Sequence, residues 1–216
     1  MNAARNVEAV EVRELAPAET SFAAGVLARG MRDNPLHVQA FGPDPESREQ
    51  TLTRMFQGVL PLYPPKGVIL GAFTSATPGE TPETLVGVCG MVRPGRCQPG
   101  PGERLRLLPG LVSGSGVGGT ARLLSWTGAW SRLDPPEPHW HLGPVGVERH
   151  LQGQGIGSAL LREFLARIAG ERSAAYLETD KRENVRFYER FGFQVAIEAP
   201  VLGVPNWFMI RPEESE

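Results

Sequence analysis

The sequence predicts an α/β fold in one domain, residues 1–216, and three observations predict it. From residue 139 onward the pattern runs strand ("HWHLGPVGV"), glycine turn, helix, strand ("AAYLET"), helix ("ENVRFYERFG"), strand ("FQVAIEA") and strand ("NWFMIRP"). Upstream, "GVILGAFT" (67–74) and "ETLVGVCGMV" (83–92) are apolar runs separated by "SATPGETP", and they read as core strands of a hairpin with a long turn. A chain of 216 residues is also long enough to bury a substantial core as a single unit.

The remaining elements follow from periodicity. "AVEVREL" (9–15) alternates Val10, Val12 and Leu15 with charges and reads as a strand, and the next segment places Phe22, Val26 and Leu27 on one helical face. Residues 33–45 carry turn formers. "ESREQTLTRMFQGVLPLY" resumes helical spacing through Leu52, Met55, Phe56, Val59 and Leu60 and should end near Pro61. Residues 93–137 read as an insertion: a Pro/Gly-rich loop over 93–120 with a short helix at "ERLRLLPGL", then a helix striped by Leu123, Trp126, Trp130 and Leu133 and stopped by "PPEP".

Charge and composition narrow the function. There are 22 Lys and Arg against 24 Asp and Glu, for a formal charge of -2 without a dense basic run, which argues against nucleic acid as the partner. No stretch approaches the length of a membrane span, and the charged N-terminus lacks the apolar core of a signal peptide, so a soluble cytoplasmic protein is expected. Cys89 and Cys97 match neither a zinc motif nor a disulfide framework, and His37 and His150 lack ligand spacing, so no metal is expected.

"VGVERHLQGQGIGSALL" (145–161) carries the strongest chemical signal. Gly153, Gly155 and Gly157 lie between a β-branched run and an amphipathic helix expected to begin at Ser158 and to bury Leu160, Leu161, Phe164, Leu165 and Ile168, with Gly170 as terminator. Helix N-termini leave N–H groups unpaired with partial positive charge, and glycines there let an anion approach them. A P-loop would need Lys followed by Ser or Thr at the helix start, and none is present. A dinucleotide fingerprint would need a third glycine at Ser158, so it survives only as an alternative, helped by Glu178. A purely structural turn is the plain alternative.

The string Gln152, Gly153, Gln154, Gly155, Ile156, Gly157 after a strand resembles the Q/R-x-x-G-x-G/A signature of the GNAT superfamily of acyl-CoA N-acetyltransferases. With "YLET", Asn184 and "FYERFGF", it resembles the branch that contains puromycin N-acetyltransferase. The resemblance implies a central mixed, mostly antiparallel twisted sheet with helices on both faces, whose strands at 139–147 and 174–179 splay to admit pantetheine. It implies acetyl-CoA as co-substrate, its pyrophosphate on N–H groups of residues 152–158 (Gln152 to Ser158). Pantetheine would pair with backbone at Val145, Gly146 and Val147, with Asn184, Phe187 and Tyr188 nearby. Homodimers are common in this superfamily.

Direct transfer needs no protein nucleophile, because the amine of a small-molecule acceptor attacks. A backbone N–H near Val147 would hold the thioester oxygen. Tyr188, which matches the family's general-acid position, would protonate the leaving thiolate, with packing as its plain alternative. His139 and His141, on one strand face, and Glu178, on the neighbouring strand, are the candidates for general base. Asp33, Glu46 and Glu148 are candidate carboxylates for a cationic amine, with ordinary surface carboxylates as the plain reading, and Trp126 and Trp130 are either pocket walls or core. The reading is an N-acetyltransferase that acts on a primary amine. A non-catalytic acyl-CoA-binding module is the alternative.

Overall fold

A computed structural model describes residues 10–74, 83–98 and 100–213, with backbone alone at 101 and 103–114. Its strands are β1 (Glu11–Glu14), β2 (Gly67–Thr74), β3 (Thr84–Val92), β4 (His139–Val147), β5 (Ala174–Thr179), β6 (Gln194–Val201) and β7 (Val204–Arg211). The helices are α1 (Thr20–Met31), α2 (Pro35–Phe41), α3 (Pro45–Val59), α4 (Pro101–Leu133), α5 (Ile156–Ile168) and α6 (Arg182–Glu189).

The described strands form one sheet in the order β1-β2-β3-β4-β5-β7-β6. Neighbours are antiparallel except β4 and β5, which run parallel. Helices cover both faces. On one, α5 and α6 bury Leu160, Phe164 and Val185 against Leu70, Met91, Trp140 and Leu177. On the other, α1 and α3 pack Leu27, Leu52 and Phe56 on Ile69 and Val88, while α2 and α4 pack Leu36 and Trp126 on Tyr176 and Phe208. The mixed, mostly antiparallel sheet between helical layers is the architecture expected.

Helix α5 shows how sequence dictates element and packing together. Ile156, Leu160, Leu161, Phe164 and Ile168 recur at helical spacing and all are buried, each contributing about 1.5–3 kcal/mol by leaving water. Gly170, at φ 81°, ends the helix in the left-handed region that a side chain disfavours. The helix begins at Ile156, two residues before the expected Ser158, because apolar Ile156 is drawn into the core.

Three other expectations are corrected. Phe22 is 70% exposed, because the small residues Ala23, Ala24 and Ala28 flank Val26 and Leu27 on the buried face and let α1 approach the sheet. Within the supposed turn at 33–45 lies α2, opened by Pro35 at its first position and held by the Asp180 carboxylate, which accepts the Leu36 N–H at 2.7 Å. The expected loop over 93–120 is helical from Pro101, broken only at Gly116 (φ 66°, ψ 176°). The helix expected to end near Pro61 does so: α3 runs to Val59 and tightens into a 3₁₀ turn over Leu60–Leu62. The hairpin turn between β2 and β3 and residue 9 of the first strand lie outside the described residues. No described helix is long and apolar enough to cross a membrane.

Candidate active site

The site is created where β4 and β5 part. Their parallel pairing covers His139, Trp140 and His141 against Ala174, Ala175 and Tyr176 and then stops. Beyond it β4 stays paired with β3 only: Cys89 faces Val145, Met91 faces Leu142, and Gly143 and Pro144 together oppose Gly90. This bulge leaves the β5-facing edge of Val145, Gly146 and Val147 unpaired within the sheet and able to receive an extended ligand.

A cavity of about 420 Å³ fills that opening. Val145, Gly146, Val147, Gln152, Gly153, Gly155, Ile156, Gly157, Ser158, Asn184, Phe187 and Tyr188 line it, so the structure brings together every expected cofactor residue except Gln154. Gln154 is exposed, and its amide donates to the His150 carbonyl at 3.2 Å. Gly155 takes φ 90° as the cap of α5, a left-handed conformation that aims the first N–H groups of the helix at the cavity. The Gln152 side chain donates to Gly30 O (3.0 Å) and Val147 O (3.1 Å), tying α1 to the end of β4. Gly30 was not singled out in the sequence, yet a Cβ there would stand 2.4 Å from Val147 O. Its only sequence signal was its place in "ARGM". Lys181 and Arg190 add positive charge to the rim.

A second cavity, of about 690 Å³, lies on the other side of the same junction. Tyr188, Asn184, Val145, Met31 and Asn34 line both. The walls of the second are largely apolar, with Phe56, Leu123, Trp126 and Trp130 among them, while His141 and Glu178 supply polar chemistry. Both tryptophans therefore serve as wall, and Trp126 also packs into the core. Missed by the sequence reading, Tyr63 donates its O–H to Gly143 O at 2.6 Å and braces the bulge.

Tyr188 is buried, and burial raises its phenol above the ordinary value, so it stays protonated throughout the neutral range. His141 Nε2 lies 3.1 Å from Glu178 Oε2. Burial alone would lower its pKa, but the Glu178 charge, with Cys97, outweighs burial and raises it to about 10. His139 lines neither cavity. Its Nδ1 bonds the Glu137 carbonyl at 2.8 Å and its Nε2 faces Asp134 at 3.3 Å, which outweighs burial and raises its pKa to about 10. Burial keeps His37, on the second cavity's wall, below its ordinary value and neutral.

The candidate amine-attracting carboxylates lie elsewhere. Asp33 is paired with Arg48 and Arg149. Glu46 is exposed on α3. Glu148, read as a surface carboxylate, is buried and gripped by the Arg29 guanidinium through Nε and Nη2, because the close approach of α1 to β4 covers it. His150 is exposed beside the glycine turn.

Known proteins resemble this chain in sequence and fold. Residues 113–195 match a family model described as the acetyltransferase (GNAT) domain. The mycothiol acetyltransferase of Mycobacteroides abscessus is 37% identical over 81 residues, or 36% of this chain and 27% of that protein, so the match spans about a quarter of the curated relative. The crystal structure of "histone acetyltransferase HPA2 and related acetyltransferase" from Corynebacterium glutamicum superposes with a TM-score of 0.71 at 26% identity, covering 97% of this chain and 99% of that one. A GNAT family acetyltransferase from Brucella melitensis, solved in complex with acetyl-CoA, shares the fold with a TM-score of 0.50 at 19% identity, covering 96% of this chain and 92% of that one.

Proposed function

We propose that the chain, which is similar to GNAT acetyltransferases over residues 113–195 and in its fold, moves the acetyl group of acetyl-CoA directly to a primary amine, with Tyr188 as general acid. The observation that carries this reading is the junction of two cavities at Tyr188, Asn184 and Val145. One cavity offers a glycine turn, a helix N-terminus and an open strand edge to a phosphorylated, extended donor. The other offers an apolar, aromatic-walled space with a carboxylate near the junction, suited to an amine on an apolar body.

In this mechanism the amine nitrogen attacks the thioester carbonyl carbon, and the oxygen that gains charge is held by a backbone N–H near Val147. The C–S bond breaks, and the departing sulfur takes the Tyr188 proton. A raised pKa weakens the phenol as an acid but keeps it protonated, so its contribution centres on hydrogen bonding to the thiolate as it forms. Glu178 accepts the ammonium proton, directly or through water. His141 directs Nε2 at Glu178 and Nδ1 towards Asp134, which leaves it a positioning residue, and His139 lies outside the cavity wall.

Release of free CoA thiol, followed with a panel of apolar primary amines and with Tyr188→Phe beside the parent, tests the proposal. Amine-dependent release that falls in the variant while acetyl-CoA binding persists is the expected result. Tight acetyl-CoA binding without turnover on any amine would replace it with a binding-module reading, and full turnover by Tyr188→Phe would remove the acid assignment.

A further inference from the structure

We infer that Cys97, Asp134, His139 and His141 form a structural zinc site that fastens the insertion to the start of β4. The four side chains come from three separate segments, yet one ligand atom from each lies within 4.8 Å of the others. A tetrahedral zinc ion with bonds of about 2.0–2.3 Å holds its ligand atoms roughly 3.3–3.6 Å apart, so modest side-chain adjustment closes the site. Asp134 Oδ1 already stands 3.3 Å from His139 Nε2 and 4.0 Å from His141 Nδ1.

The second observation is independent of those distances. Asp134 Oδ1, His139 Nε2 and His141 Nδ1 are buried without a hydrogen-bond partner among the described residues, and they face one another. The side chains of His139 and Asp134 are only 3% and 9% exposed. Buried polar atoms without partners are costly, and three of them aimed at one point are accounted for by a cation at that point.

The outer contacts are those that metal-bound histidines require. His139 Nδ1–H donates to the Glu137 carbonyl and leaves Nε2 for the metal. His141 Nε2–H faces the Glu178 carboxylate and leaves Nδ1 for it. Asp134 Oδ2 accepts from the Gln98 amide at 2.7 Å, which directs Oδ1 inward. A carbonyl or carboxylate behind each imidazole fixes the tautomer and the ring orientation. One thiolate, two imidazoles and one carboxylate suit zinc and disfavour magnesium or calcium, and four protein ligands make a closed structural site. The sequence reading expected no metal because it examined local spacing, whereas these ligands converge only through the fold.

The consequence concerns the acceptor cavity, whose wall includes Gln98, Trp130, Ser131 and His141. Zinc at the four ligands would pin the 97–98 loop and the end of α4 to β4 and hold His141 against Glu178. Binding exchanges the Cys97 thiol proton, and any imidazolium protons, for the ion. The inference does not rest on acetyl transfer.

Its test uses the full chain dialysed against chelator, then titrated with zinc, with cobalt(II) as the spectroscopic probe. The expected result is one tightly held zinc per chain by elemental analysis, a thiolate-to-cobalt charge-transfer band with intense tetrahedral d–d bands, and a Tm that rises with zinc. Cys97→Ser should abolish the charge-transfer band and weaken zinc binding at least about a hundredfold, while its zinc-free Tm stays near that of the zinc-free parent. His139→Gln provides a second variant with the same expected loss of stoichiometry. Retention of less than a tenth of an equivalent by the parent, or an unchanged cobalt spectrum in Cys97→Ser, would overturn the site.

Discussion

His141, whose pairing with Tyr176 is the last rung before β4 and β5 separate, directs Nε2 to within 3.1 Å of Oε2 of Glu178, two residues further along β5. The pair therefore lies at the root of the opening, on the wall of the larger cavity proposed to take the acceptor. Glu178→Gln keeps the shape and removes the proton acceptor, so kcat should fall by about 10²–10⁴-fold with KM for acetyl-CoA little changed. Steady-state kinetics at saturating acetyl-CoA checks this, and an unchanged kcat would move the base elsewhere.

Tyr188→Phe should lower kcat by about 10²-fold or more and leave the dissociation constant for acetyl-CoA within severalfold of the parent. The pH profile adds a sign. Burial raises the Tyr188 pKa above its ordinary value, so the acid stays protonated as pH climbs, and the parent should show no alkaline loss of kcat below about pH 10 from this residue. An alkaline limb near pH 8 that vanishes in Tyr188→Phe would contradict this.

Gly30→Ala would put a Cβ 2.4 Å from Val147 O and 3.0 Å from Val147 N. Since the obstacle is backbone, α1 must retreat from β4. A loss of about 1–3 kcal/mol in urea unfolding is expected, together with weaker acetyl-CoA binding, because Gly30 and Val147 both line the cavity proposed to hold the donor.

Acid stability has a local source at the start of the chain. The Arg13 guanidinium, 2.8 Å from Glu19, holds that carboxyl below its ordinary value despite partial burial. The folded-state pKa is depressed, so this contribution is present above the unfolded value of about 4.3 and fades as pH falls through the folded one. Glu19→Gln should flatten that part of the stability profile measured by urea titration between pH 5 and pH 3, with only a small effect because the pair is partly exposed.

Elements with strong apolar periodicity were legible in the sequence, α5 above all, as was the clustering of the residues around the smaller cavity, because they lie in one continuous stretch from Val145 to Ser158 with α6 soon after. Helix α2 was not legible, because Asn34, Pro35 and Gly42 signal turns locally and the helix depends on Asp180, far along the chain, to cap it. Phe22 misled because helical spacing alone does not weigh small residues as a packing face. The larger cavity and the cluster of Cys97, Asp134, His139 and His141 were least legible: Tyr63, Cys97 and Asp134 share no motif, and they reach their neighbours only once the sheet and α4 are assembled.

The most direct test of the central claim is calorimetric titration of the full chain with acetyl-CoA, with NAD as the comparison anionic ligand. The account predicts saturable binding of acetyl-CoA at one site per chain and no heat with NAD. Absence of acetyl-CoA binding, or preference for NAD, would contradict the donor site and with it the proposed acetyl transfer.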